Sequence, residues 1–573
     1  VARWAITAIG MLASNLLLVA PIYADVVWHV DDSAVSGLDN GSSWDDAFLD
    51  FQSALSVATA GDEIRVAQGL YRPTEPGGSR SISFELRPGV IHQGGYAGFG
   101  SKDPNTLDPI LFLTILSGDI NGDDVLTDFA NDLENSFHVV IGDGSVGMNP
   151  DTIFRGFTIT GGRADASGST SDETNPDNRG GGMFLLNGAS PTIEDCHFVH
   201  NRANHFGGGL DAGNGSPIIN RCRFGFNQLL RSPIADGAGM RSLGTPVITN
   251  SVFEHNRDCC FTGSGGGLSV SNVTIESCTF AHNLSENGSG LFGSNLTLIN
   301  CDFISNTGTE ALSTLQATLI DCRFIANESE YAALLVRPGG SVTAIRCEFA
   351  FNLGQIGNAV RNLGTATFIN SVFMGNRNVE MAPASSGGAI SNAGSLVVIN
   401  SLFSGNQTKG LGGAIESDGT LALANCTVIG NLAQGFGAVP TGSVHVTAGT
   451  AEIRNTILWQ NECPVQSNGG EPSQVFVQLG SASLIIDAST VEGWSGGFGG
   501  NGNSGLDPLF IDIDGEDDLF GTADDNARLQ IRSPARDTGE NAYLPLDDFD
   551  LDLDLATMEL ISRDLDDLRR VVA

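Results

Sequence analysis

Between about residue 190 and residue 461 one order of apolar and polar positions recurs along the chain. An apolar residue and two others lead to Cys, Ser or Thr; two residues later comes an apolar position, usually Phe, and three residues after that an Asn. The small position falls at Cys196, Cys222, Ser251, Cys278, Cys301, Cys322, Cys347, Ser371, Ser401, Cys426 and Thr456, at spacings of 21 to 30 residues. The asparagine follows every time, at Asn201, Asn227, Asn256, Asn283, Asn306, Asn327, Asn352, Asn376, Asn406, Asn431 and Asn461. The aromatic position runs from Phe198 through Phe224, Phe253, Phe280, Phe303, Phe324, Phe349 and Phe373 to Phe403, and Val428 and Leu458 complete it. Small and aromatic residues two apart predict a short strand with both on its inward face. A second strand is predicted where Gly or Ala precedes an apolar residue, as at Gly209-Leu210, Gly239-Met240, Gly267-Leu268, Gly290-Leu291, Ala389-Ile390 and Ala414-Ile415.

A unit of ~25 residues with short strands cannot bury its own apolar face, so successive units must stack and share one interior. The fold class expected is therefore all-β, a parallel β-helix solenoid of at least eleven coils. Equivalent residues would lie about 4.8 Å apart, and each asparagine amide could donate to one neighbouring rung and accept from the other. The asparagines and phenylalanines read as structural. Seven of the ten cysteines occupy the small column and read as free, stacked, buried thiols; Cys259, Cys260 and Cys463 lie outside it and are the candidates for a disulfide.

Composition agrees with the array: 74 glycines and 16% charged residues in 573 suit many tight turns. The formal charge of −38, with Lys102 and Lys409 as the two lysines, repels polyanions and argues against nucleic-acid binding. Residues 1–24 read as a signal peptide: Arg3, the mostly apolar run Trp4 to Ala20, and cleavage expected near Ala24. The remaining divisions are 25–150 as N-terminal cap and first coils, 151–461 as repeat coils, and 462–573 as C-terminal coils with an acidic tail. Ser43 and Asp46 with Phe48, Phe51, Leu55 and Ala58 predict a short capped helix over the open end of the solenoid, and Gly61 to Ala67 the first strand.

The stretch from Val27 to Pro73, with GSSWDDAF and GDEIRVAQGLY, and the later TILSGDINGDD and GFTITGG resemble secreted bacterial right-handed β-helix proteins of the pectin-lyase-like superfamily. The nine FxxN repeats, with GGAI at Gly387 and Gly412, resemble chlamydial polymorphic outer membrane proteins. The segment LDPLFIDIDG with LQIRSPARDTGEN is similar to a domain found before varied anchoring signals in bacterial surface proteins. The resemblance implies right-handed coils and a secreted or cell-surface location. The chlamydial proteins continue into an outer-membrane barrel, for which the chain after Asn461 is short.

Two functions compete at this level. The first is binding or adhesion to glycans or envelope material, by a monomer, through the loops of variable length between each asparagine and the next glycine pair; Arg163, Arg179, Arg231, Arg257 and Arg377 on that wall suit carboxylate or hydroxyl recognition. The second is a polysaccharide lyase or glycoside hydrolase, which the superfamily also contains. The outward position of the second predicted strand reads Asp211, Arg241, Ser269, Phe292, Ser313, Leu335, Arg361, Ser391, Glu416 and His445, with no two carboxylates adjacent. No catalytic residue and no cofactor is assigned beyond Ca2+. For that ion Asp512, Asp514, Asp517 and Asp518, followed by Asp524 and Asp525, are the candidate ligands. Asp119, Asn121 and Asp123 begin like a calcium loop without completing one, and His255 with His282 on consecutive rungs reads as packed turn residues rather than a metal pair. Asp548, Asp550, Asp552 and Asp554 alternate with apolar residues as in a strand.

Overall fold

A computed structural model describes residues 24–125, 129–166, 175–230, 235–258, 263–378, 387–435, 440–464, 470–544 and 546. The expected signal peptide, Arg231, Cys259, Cys260 and the alternating aspartates from Asp548 to Asp554 lie outside the described residues.

The chain winds into stacked coils. Each repeat coil has up to four strands, as in Thr192–Glu194, His197–Val199, Arg202–Ala203 and Leu210–Asp211; the pairings between coils are parallel, with register shifts after Arg65, Gly308 and Thr314. The second strands form a 15-stranded sheet from Gly69–Tyr71 to Thr490–Val491, four coils more than the repeated motif alone predicts. Its inward column begins with Tyr71, Leu116 and Ile159 and continues through the phenylalanines to Val428, Leu458 and Val491. From Phe198 to Phe403 the rings stack with centroids 4.5–5.1 Å apart, set by the strand spacing.

The asparagine column is buried, and it closes the corner between second and third strands. Asn256, for example, accepts from the Asn227 backbone N–H at 3.1 Å and side-chain amide at 3.0 Å; it donates to the Phe224 carbonyl at 2.8 Å and to Asn283 Oδ1 at 3.0 Å. The same bonds recur from Asn227 to Asn431, so each corner's polar groups are satisfied inside an apolar core. Cys196, Cys222, Cys278, Cys301, Cys322, Cys347 and Cys426 are free and buried, as expected for the small column, and so is Cys463, which is not in a disulfide.

Two expectations at the N-terminal end need correction. The first strand is Val27–Val30, paired with Glu63–Ala67, so the Gly61 to Ala67 segment supplies the second. The helix is shorter than predicted, Phe51–Val57, because its N-cap is Asp50, whose carboxylate accepts from Ser53 N–H; Ser43 and Asp46 bond to each other in the preceding turn. Its buried Phe51 meets Phe84, His92 and Phe157 and closes the core at that end.

Candidate ligand-binding surface

Each asparagine can turn inward only if the residue before it adopts a left-handed backbone. That corner column reads His200, Phe226, His255, His282, Ser305, Ala326, Phe351, Gly375, Gly405, Gly430 and Gln460, with φ between 50° and 65° throughout. A side chain here costs about 1 kcal/mol relative to glycine. Four successive coils nevertheless carry rings, and the rings stack face to face: His200 on Phe226 at 5.2 Å, Phe226 on His255 at 4.7 Å, and His255 on His282 at 4.8 Å, all within 9° of parallel. Phe129 lies against the end of the stack, its ring tilted and 6.0 Å from His200. Phe226 is 39% exposed, and His255 and His282 are exposed as well. Partial burial, with Arg223 beside His200 and His282 beside His255, holds both imidazoles below their ordinary range, so they are neutral at pH 7. The histidines are turn residues packed on one another, and the turn faces outward.

Polar groups flank this ring column on both sides. On the second-strand side Arg223 lies 5.7 Å from the Phe226 ring and donates to Glu254 at 2.5 Å. On the third-strand side Arg163, Arg202, Gln228 and Arg257 follow one another in register. Arg163 is committed to Asp132 and to Asp165, the latter at 2.7 Å, and Arg202 to Asp132 at 2.7 Å while stacking on Phe129 at 4.6 Å. Arg257 is exposed, with no carboxylate in salt-bridge range among the described residues.

The arginines expected on the loop wall therefore divide. Arg163 and Arg257 share the column beside the rings. Arg179 lies elsewhere, 5.2 Å from the Phe184 ring and 3.7 Å from the fully buried Asp211. Arg377 is exposed on the same third-strand face, five coils beyond Arg257. Sequence reasoning passed over Arg202 and Phe226; the signal available was the position before each asparagine, where ring follows ring.

The tail aspartates take part in a hairpin of Phe510–Asp512 and Asn526–Leu529 that folds back across the same corner column. Asp525 accepts from Ser404 Oγ at 2.6 Å, and Phe520 covers the glycines: a Cβ on Gly430 would fall 2.1 Å from Phe520 Cγ, and one on Gly405 2.3 Å from the Phe520 carbonyl oxygen. Asp524 closes the hairpin loop by accepting from Glu516 N–H at 2.8 Å and Thr522 Oγ1 at 2.7 Å. Asp512, Asp517 and Asp518 are exposed around this loop and Asp514 is half-buried. Among the described residues, the carboxylates that gather in a trio with all oxygens within 4.8 Å are instead Asp119, Asp123 and Glu134.

The outward column of the fourth strand is in register as read from the sequence, from Asp211 beside Arg241 to Glu416 beside His445. Asp211 is enclosed between Arg179 and Arg241, each at 3.7 Å, while Glu416 accepts from Ser391 at 3.1 Å and Thr447 at 3.0 Å. An open groove of about 520 Å3 at the turn between first and second strands brings Glu194 and Asp195 together, but Arg221 holds Asp195 through two bonds of 2.7 and 2.8 Å and lies 3.9 Å from Glu194. In each place the carboxylate is already bonded or paired.

Residues 130–314 and 311–490 match the family described as right handed beta helix region, and the chain belongs to this family of right-handed β-helix proteins. No curated protein sequence matches it. Among solved structures, it is similar to XylC in complex with xylose (11% identity, 85% of this chain and 88% of that one, TM-score 0.23). A pectate lyase is similar at 13% identity, covering 91% and 93%, with TM-score 0.19. A lacto-N-biosidase from Eubacterium ramulus is similar at 10% identity, covering 81% and 67%, with TM-score 0.21. Overlaps of this extent carry no argument about chemistry.

Proposed function

We propose that this protein works outside the cell, in solution or at the cell surface, as a non-catalytic binder of polysaccharide, and that the glycan lies along the ring column. The observation that carries this reading is the run His200, Phe226, His255 and His282 at positions whose backbone favours glycine, with three of the rings exposed. Because the rings stack face on face, the column presents a rigid strip of ring edges fixed by the coils beneath, which can pack against the C–H groups of a glycan and loses little entropy on binding. Arg257, Gln228, Arg223 and Glu254 border it and supply hydrogen bonds for hydroxyl groups. The charge of −38 favours neutral sugars over polyanionic ones. Cleavage is the weaker reading, because Asp195 is salt-bridged to Arg221 and Asp211 is fully buried.

The test is retention of purified protein on insoluble neutral and acidic polysaccharides, with release of reducing or unsaturated ends measured in the same tubes. Retention on a neutral polymer without products is expected. Product formation would replace binding by cleavage, and no retention on any polymer would remove the glycan.

A further inference from the structure

A second site lies where the chain leaves the strand Thr114–Ser117. The loop 119–124 and the single turn Asp132–Glu134 bring together the carboxylates of Asp119, Asp123 and Glu134, with ligand oxygens all within 4.8 Å of one another. Oxygens bound to one Ca2+ at about 2.4 Å can be at most about 4.8 Å apart, so the trio fits around a single ion. Asp124 stands beside them, with Oδ2 accepting from Asn135 Nδ2 at 2.7 Å.

Proximity of carboxylates alone would mean little, and the independent observation is Asn135. Its side chain is 1% exposed and its amide is turned onto Asp124, yet its Oδ1 meets no donor. Asp124 Oδ1 and Glu134 Oε1 are likewise buried without a partner. Leaving such an oxygen unpaired is unfavourable, the more so when it is charged. The nearby cations are engaged elsewhere: Arg163 and Arg202 both go to Asp132, and Arg72 Nε donates to the Asp119 carbonyl at 2.6 Å. No salt bridge reaches Asp119, Asp123, Asp124 or Glu134 among the described residues. What the cluster lacks is a cation that accepts oxygen ligands of both kinds, carboxylate and amide.

We infer that Asp119, Asp123, Asp124 and Glu134, with the side-chain oxygen Oδ1 of Asn135, form a Ca2+ site. Ca2+ tolerates an irregular shell of six to eight oxygens, whereas Mg2+ demands a near-octahedral one and keeps its waters. The site lies on the segment that leads to the ring column, since the Phe129 ring lies tilted against His200 and Asp132 holds Arg202. Its occupant would brace that end.

The test uses the whole chain, stripped of metal and titrated calorimetrically with Ca2+ alone. One ion per chain is expected, with Kd of about 10⁻⁴ to 10⁻³ M. The paired substitution Asp123→Asn and Glu134→Gln should weaken it at least about tenfold, while Asp512→Asn with Asp517→Asn should leave it unchanged. Hydrogen exchange on the unsubstituted protein provides a readout that does not depend on variants folding: Ca2+ should slow amides in 119–125 and 129–136 and leave 510–530 alone. No binding up to about 10 mM, an affinity insensitive to Asp123→Asn with Glu134→Gln, or protection confined to 510–530 would overturn the site.

Discussion

The corner column is built twice, on one backbone, with opposite outer surfaces. At His200, Phe226, His255 and His282 it carries stacked, largely exposed rings; at Gly375, Gly405 and Gly430 it carries no side chain and is covered by Phe520 and its hairpin. Beneath both stretches the interior is built alike: phenylalanines from Phe198 to Phe403, with Val428 in the coil of Gly430, the same asparagine bonds and the same left-handed φ. Coil geometry fixes what points inward and leaves the outward side of the corner open to be filled either from within the chain or from outside it. Where the chain covers the column itself, glycine is required. Where rings stand instead, nothing of the described chain lies over His255 and His282, which is the argument for a ligand there.

The deepest cut into this comparison is made in the shared interior. Asn256→Ala, under the rings, and Asn406→Ala, under the glycines, each remove four hydrogen bonds. Both should lower the local opening free energy by about 3–5 kcal/mol, read by native-state hydrogen exchange, and a difference above about 2 kcal/mol would show that the two interiors are not equivalent.

Next in size is Gly430→Ala. The new Cβ meets the Phe520 ring, so the hairpin should detach at a cost of about 2–3 kcal/mol. Proteolysis and exchange should then rise at 510–529 while the coils keep their protection. The counterpart Ala326→Gly, on an uncovered coil, should expose nothing.

Acid acts first through buried imidazoles on either side of the two stretches. Burial lowers His92 and His445 to about 4, against 6.5 in the unfolded chain. Above pH 6.5 neither state is protonated; below it the unfolded chain takes up protons first, so stability falls with pH, by about 2 kcal/mol for each at pH 5. His200 and His255 are shifted in the same direction and add a smaller loss confined to the ring coils. Thermal unfolding between pH 7 and 5 with His255→Gly as comparison separates the two contributions; a midpoint that rises on acidification would contradict both.

The smallest stability effect belongs to the rings. His255→Gly relieves about 1 kcal/mol of left-handed backbone and forfeits two stacking contacts of similar total size, so its unfolding should stay within about 1 kcal/mol of the parent. A loss of several kcal/mol would make the rings structural.

The columns were readable in the sequence because each inward position is constrained by identical neighbours above and below; Cys, Phe and Asn could hardly vary. Phe226 and His200 escaped notice because an outward corner position tolerates Ser305, Ala326 or Gly375 equally well, and repetition is what periodic reading detects. The hairpin contact was beyond any local pattern, since Ser404 and Asp525 lie 121 residues apart. For the same reason the packing role of Asp524 and Asp525, which close and dock the hairpin, was not visible in the sequence. The loop at Asp119 was the reverse case: its spacing was seen, but Glu134 and Asn135, which complete it, come from the next turn.

The measurement closest to the central claim is retention on the neutral polysaccharide that best holds the parent protein, compared between a ring-column variant, Phe226→Ala with His255→Gly and His282→Gly, and the glycine-column variant Gly430→Ala. The account predicts that the first loses retention by at least about tenfold, some 1.4 kcal/mol, with its coils intact by exchange, and that the second keeps it. Equal retention by both variants, or loss only in Gly430→Ala, would contradict it.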